Sequence, residues 1–321
     1  MIFPQLHKVL KSRYSINIKL KGTHLMKLNC KLIFSGAIIL VLLVLILGRL
    51  TVRLSIPSDF KSGNYTNITK PDKLPKLTKS EAPSPTAAPE SLIPHQNKSK
   101  LVAFPKEGIP VLMYHSIKTL PGNSLGVPVK QFTEEMSWLH EQGYNTISPK
   151  DLYEALINQK PVPEKPILIT FDDGYSDNYI SAWPILRQIG FKATFFIITD
   201  SIGSGMMKWD QLNDLIKQGN TIESHTVHHL DLSTLGENEQ ELELNISKQE
   251  LESHLGINVQ SLCFPSGKYN KTTLALMPKV GYKLGFTTKP GKVHLGDNIL
   301  TLKRERIYGG MSLALFQRLF P

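Results

Sequence analysis

Ile167-Leu-Ile-Thr-Phe-Asp-Asp-Gly-Tyr175 sets two adjacent carboxylates, Asp172 and Asp173, at the end of an apolar, β-branched run. Taken alone the stretch reads as a strand running into a turn, because Asp-Gly is a common hairpin dipeptide. The rest of the chain changes that reading. From Ile109 onward short apolar runs recur at 110–114, 166–171, 193–198, 221–223, 261–264 and 283–287. Amphipathic segments lie between several of them, at 129–142, 149–158, 179–188, 209–218 and 237–255. Gly190, Gly219 and Gly281 stand where helices should stop. Such β-α alternation predicts a parallel sheet with helices outside it, either open or closed into a barrel. Chemistry in these folds collects at the carboxy-terminal ends of strands, which is where Asp172 and Asp173 stand.

The charge is unevenly spread. The 321 residues hold 37 Lys/Arg against 27 Asp/Glu, a formal net charge of +10. Residues 1–53 hold nine of those basic residues and no acid, whereas residues 106–321 hold 21 basic and 23 acidic side chains. A basic amino-terminus beside an apolar run points to a membrane and not to nucleic acid. The run, LIFSGAIILVLLVLILG from Leu32 to Gly48, has no charge, and Arg49 and Arg53 follow it. Residues 32–50 are therefore expected to form a single transmembrane signal-anchor. No small-x-small cleavage site follows in Gly48-Arg-Leu-Thr-Val-Arg53, so the anchor is expected to stay uncleaved. The basic segment 1–31 would remain cytoplasmic and the rest of the chain would lie outside. Residues 51–105 read as a flexible stalk, with prolines set among Ser, Thr, Lys and Asn, and residues 106–321 as the catalytic domain. The two cysteines, Cys30 and Cys263, give no disulfide framework. A bacterial cell surface fits these features.

A second cluster, Glu223-Ser-His-Thr-Val-His-His-Leu-Asp231, follows another short apolar run. His225 and His229 are spaced so that one turn can bring both imidazoles to a common point, an arrangement suited to a divalent metal. A polar surface loop is the other reading of the same residues. With a carboxylate from the first cluster the two imidazoles would leave coordination positions open for water and substrate.

Thr170-Phe-Asp-Asp-Gly174 and His225-Thr-Val-His-His229 resemble the first two motifs of the polysaccharide deacetylase family, also called the NodB-homology or carbohydrate esterase family 4 domain. The resemblance covers roughly residues 108–310 and implies an irregular (β/α) barrel of about seven strands. It implies that Asp173, His225 and His229 bind the metal while Asp172 is the general base that activates the attacking water. Zn2+ is the default ion, and Co2+ or Ni2+ can serve. Cys263-Phe-Pro-Ser-Gly267 matches the third motif, usually Arg-x-Pro-Tyr-Gly, with Cys263 at the Arg position and Ser266 at the Tyr position. The resemblance gives Pro265 and Ser266 a place in the substrate site, with the Ser266 N–H as an oxyanion donor. The displaced arginine, which would orient the base, has two candidate replacements in Arg304 and Arg306. A solvated charge pair with Glu305 is their other reading.

A general acid must protonate the leaving amine, and histidine is the usual choice near neutral pH. His294 stands near the late position that most relatives use. His115 ends Pro110-Val-Leu-Met-Tyr-His115, a segment similar to a circularly rearranged subgroup that includes poly-N-acetylglucosamine deacetylases. His115 is preferred because it ends a strand as Asp172 does. Trp209 is the aromatic residue expected to stack on substrate. The expected function is a membrane-anchored, extracytoplasmic, metal-dependent hydrolase removing N-acetyl groups from an N-acetylglucosamine polymer, exopolysaccharide or peptidoglycan. An O-acetyl carbohydrate esterase and a non-catalytic carbohydrate-binding domain are the alternatives.

Overall fold

A computed structural model describes residues 15–18, 26–29 and 100–320. The expected anchor at 32–50 lies outside these residues, and among the described ones no helix is long and apolar enough to cross a membrane. The chain divides into two units, Met1–Thr86 and Ala87–Pro321. In the first, Ser15–Ile18 pairs antiparallel with Met26–Asn29. In the second, Leu101–Val102 pairs antiparallel with Val162–Pro163, so paired backbone begins ahead of the domain start expected at 106.

The second unit is built on seven strands: β1 (Val111–Tyr114), β2 (Pro166–Phe171), β3 (Thr194–Ile197), β4 (Thr221–Ser224), β5 (Ser261–Cys263), β6 (Leu284–Phe286) and β7 (Glu305–Arg306). Their order is β6-β5-β4-β3-β2-β1-β7, and every neighbouring pair is parallel. Asn145–Thr146 adds a short parallel pairing to the start of β2. The last segment touches both edges of the sheet. Leu302 bridges Phe286 of β6, and three residues later β7 pairs with Leu112–Met113 of β1. A parallel α/β sheet curled in this way fits the irregular (β/α) barrel implied by the motifs.

The helices are α1 (Val129–Glu141), α2 (Pro149–Asn158), α3 (Trp183–Gln188), α4 (Trp209–Lys217), α5 (Glu237–Leu255), α6 (Lys271–Val280) and α7 (Leu313–Gln317). Their ends follow local chemistry. Ser148 accepts from the Asp151 N–H at the start of α2, and Asn270 caps α6 in the same way through Thr273. Gly281 closes α6 with φ 102°, in the left-handed region. One stretch departs from expectation. The segment expected as a helix over 179–188 opens with a π-helical turn, Asn178–Ala182, before α3 begins.

Successive strand residues alternate between two apolar layers, as the period of two requires. Leu112, Ile169, Phe171, Phe195 and Ile222 pack with helix residues such as Phe132, Leu186, Leu215 and Leu244. Val111, Leu168, Phe196, Cys263 and Phe286 form the other layer with Ile109, Val293 and Leu302. Strands buried on both faces are typical of parallel sheets. Behind the ends of β1 to β3 stands a run of rings: Tyr114 on Phe171 at 5.6 Å and Phe171 on Phe195 at 5.1 Å, with Phe132 edge-on to Tyr114. Each such pair adds about 0.5–1.5 kcal/mol beyond its burial. Together they make a stiff backing for the residues that follow.

Candidate active site

Asp172 and Asp173 are the first residues past β2, and φ turns to 72° at Asp173. The turn sends the neighbouring carboxylates to different partners. Asp172, 2 % exposed, meets Arg304, whose Nη1 donates to Oδ1 and Nη2 to Oδ2, both at 2.7 Å. Arg304 is fully buried and spends its other donors on Thr170 Oγ1, Cys263 Sγ and the Thr287 carbonyl. Burial alone would raise the Asp172 carboxyl. The Arg304 charge and hydrogen bonds, aided by His225 and His115, hold it well below the usual carboxylate range. Asp172 is thus kept ionised and able only to accept.

Asp173 turns to the histidines. Its Oδ1 lies 3.3 Å from His225 Nε2 and 3.6 Å from His229 Nε2. Burial pushes this carboxyl up, but the His225 hydrogen bond and charge bring it below the ordinary value. The three side chains offer one ligand atom each, all within 4.8 Å of one another. Zinc bonds of 2.0–2.1 Å in a tetrahedron put ligand atoms about 3.3 Å apart, so the two separations suit a shared metal. His225 Nδ1 is 2.8 Å from the Cys263 carbonyl, which makes Nδ1 the donor there and turns Nε2 toward Asp173. The donor set fits a divalent cation.

His115 follows β1, and its Nε2 is 4.0 Å from Asp172 Oδ2. The loop that carries it is fixed by two residues beyond the first motif. Asn178 Nδ2 donates to the His115 carbonyl at 2.7 Å, and Asp177 accepts from Ser116 Oγ and the Ile117 N–H. Both lie at the π-helical turn, a distortion common at functional sites. Burial lowers the His115 pKa, with Asp172 and Asp173 opposing the shift. His294 stands elsewhere. Val293 before it bridges Ile109 at the start of the same strand, so His294 lies at the opposite end from His115 and cannot serve the cluster.

Pro265, Ser266 and Gly267 form a 3₁₀ turn just past β5. Ser266 is left-handed at φ 52°, and the turn's own hydrogen bonds come from the Gly267 and Lys268 amides, leaving the Ser266 amide outside them. Gly267 has no substitute here, since a Cβ would sit 2.1 Å from Thr288 Oγ1. Of six non-glycine residues with positive φ among the described residues, four belong to this region: Asp173, Thr226, His229 and Ser266. Each costs on the order of 1–3 kcal/mol, and strain of this kind gathers at functional sites.

The structure also separates the paired candidates. Arg306 is exposed, and its Nη2 reaches Ser124 Oγ at 3.4 Å, so the arginine on Asp172 is Arg304 alone. Trp209 does not join the cluster, because its ring stacks on His254 at 4.3 Å and packs against the core. A cavity of about 390 Å³ opens at the starting ends of β4 to β6, lined in part by Tyr153, Glu223 and Lys283, and shares no residue with the cluster. Sequence reasoning missed Thr170, Asp177 and Asn178. The polar pair so close to the first motif was the available signal for the last two.

The sequence profile of the polysaccharide deacetylase family matches residues 159–285, which span β2 to β6 and hold both acidic and histidine clusters. The Bacillus subtilis protein YxkH, assigned by name to the polysaccharide deacetylases, is 42% identical over 209 residues, covering 65% of this chain and 74% of that one. The poly-beta-1,6-N-acetyl-D-glucosamine N-deacetylase of Escherichia coli K12 is 23% identical over 250 residues, covering 63% of this chain and 37% of that protein. Among solved structures, the Streptococcus pyogenes deacetylase PplD in complex with acetate superposes with a TM-score of 0.63 at 32% identity, covering 69% of this chain and all of that one. Likeness at this level over most of the curled sheet, joined to the two acidic and histidine motifs it carries, makes the chain a member of the polysaccharide deacetylase family, hydrolases of carbon–nitrogen bonds.

Proposed function

We propose that this chain is a metal-dependent deacetylase that removes N-acetyl groups from an N-acetylglucosamine polymer at the bacterial cell surface, held at the membrane by residues 32–50. The observation that carries the reading is the division of the two aspartates, with Asp172 on Arg304 and Asp173 on two imidazoles. A divalent cation bound by Asp173, His225 and His229 would supply Lewis-acid polarisation of the acetyl carbonyl and make hydroxide available near neutral pH. Zn2+ suits the mixed nitrogen and oxygen donors, with Co2+ or Ni2+ as alternatives. Asp172 takes the proton of the attacking water, kept ionised and oriented by Arg304. The Ser266 amide donates to the developing oxyanion. His115 delivers a proton to the leaving amine, which departs poorly without one.

An N-acetylglucosamine polymer is supported by relatives named for poly-beta-1,6-N-acetyl-D-glucosamine. The test is to incubate the purified full-length chain with that polymer, chitooligosaccharides and peptidoglycan, with zinc or with a chelator, and to count acetate and free amines. Equal amounts of both, dependent on metal, are expected. Acetate without new amines would move the activity to O-acetyl esters, and no acetate from any substrate would reject it. The anchor has its own measurement: a full-length 36.0 kDa species resisting a high-salt wash of membranes. A shortened soluble form as the main product would reject that part of the reading.

A further inference from the structure

The third histidine of the cluster, His228, has so far been given no role, and its partner explains it. Glu243 lies on α5 with its carboxylate turned to the histidine loop. Its Oε2 accepts from the Val227 N–H at 3.0 Å and the His228 N–H at 2.9 Å, and its Oε1 lies 2.6 Å from His228 Nδ1. One helical turn later Ser247 Oγ meets Ser224 Oγ at 2.8 Å, and Ser224 Oγ accepts from the Thr226 N–H. The His229 N–H in turn reaches Thr226 Oγ1 at 3.1 Å. Glu243 and Ser247 are both buried. A carboxylate leaves water at high cost unless it is well bonded, and here two successive amides and an imidazole serve it.

The loop needs such a hold. Thr226 and His229 both sit in left-handed backbone, at φ 68° and 56°, which residues with a Cβ adopt when the surroundings impose it. His225 comes straight off β4, but His229 reaches Asp173 Oδ1 only if the intervening turn keeps its shape. The geometry points to Glu243 as a positioning residue that tethers Val227 and His228 and so brings His229 to the same point as His225 and Asp173. His228 belongs to the tether and not to the metal set. Its side chain is 54% exposed and faces Glu243. The inference rests on the metal reading given above.

The test uses the full-length chain and three variants: Glu243→Ala, Glu243→Gln and His228→Ala. Zinc affinity is read by chelator competition, the site's shape by the visible spectrum of the cobalt-loaded protein, and the tether by amide exchange at 227 and 228 in metal-free protein. Glu243→Ala should weaken zinc by about 10–100-fold, the usual cost of losing a group behind a ligand. It should also change the cobalt spectrum and speed exchange at both amides. His228→Ala keeps both amide bonds and should lose less affinity than Glu243→Ala. Glu243→Gln keeps an acceptor oxygen and should fall between wild type and Glu243→Ala, with a metal-free melting temperature close to wild type. It decides the matter if the alanine variant does not fold. Wild-type zinc affinity and cobalt spectrum in the folded glutamate variants would overturn the inference, as would a His228→Ala loss equal to that of Glu243→Ala. If wild type itself bound no zinc, the metal reading would fall separately. Exchange would then judge the tether, and amides as fast in wild type as in Glu243→Ala would overturn it.

Discussion

Replacing Arg304 by methionine removes the guanidinium that sits on Asp172 while keeping much of its volume. In the native chain this fully buried arginine makes two 2.7 Å bonds to the carboxylate and three further bonds around it. Taking one partner from a buried ion pair costs about 3–5 kcal/mol, because the other charge stays behind unpaired. For a domain of this size that lowers Tm by roughly 10 °C, from a total stability on the order of 5–15 kcal/mol. The variant should fold but melt early. The pH dependence carries a specific signature. In wild type the depressed Asp172 pKa contributes stability above its ordinary value of 3.8 that is lost as pH falls through the folded value. Without Arg304 only His225 and His115 oppose the upward push of burial, and Asp172 takes a proton at higher pH than in wild type. The Tm gap from wild type should therefore be narrow in acid and widen as pH rises, until Asp172 of the variant is ionised. Deacetylation at pH 7 should fall by a factor on the order of 10²–10⁴, as for a lost base. Part of it should return as pH rises, because alkali ionises Asp172 again. Arg304→Met combined with Asp172→Asn should recover much of the stability and none of the activity. Calorimetry and kcat/KM measured from pH 5 to 9 test the chain of argument. An unmoved acid limb with near-wild-type kcat would refute it.

Asp173→Ala should lose bound zinc and activity together, whereas Asp172→Asn should keep the metal and lose activity. Metal analysis of both proteins checks this, and equal metal loss would mean that the roles are misassigned. His115→Ala should cost far more on an N-acetyl substrate than on nitrophenyl acetate, whose leaving group needs no proton. Because burial lowers the His115 pKa, its protonated fraction falls as pH rises through a midpoint below 6.5, and that descending limb should disappear in the variant. A retained limb would point to another acid. Glu135, buried beneath Tyr114 and pushed up from 4.5 to about 7, contributes stability that is full below the lower value and lost as pH rises through the upper one. Glu135→Gln should flatten the pH dependence of Tm between pH 5 and 8, a change of up to about 3 kcal/mol. An unchanged slope would remove Glu135 as its source.

The alternation of apolar runs and amphipathic segments was enough to place six of the seven sheet strands, because inward and outward packing is written into local periodicity. The motif residues Asp172, Asp173, His225 and His229 were legible through their resemblance to family motifs, since each motif is a short local string. The sequence left Arg304 and Arg306 equivalent, as neighbours two positions apart on one short strand. Tertiary structure separated them, because Arg304 enters the space that a small Cys263 leaves beside Asp172, 132 residues away, while Arg306 reaches outward to Ser124. It also set His115 beside Asp172 and placed His294 next to Val293, which bridges Ile109 ahead of the start of β1. Glu243 gave no sign in its own helix, because its partners are backbone amides on another loop. Local pattern determines which face of an element is buried. Which charge meets which across the curled sheet depends on strand order and register, and these are settled only when the strands assemble.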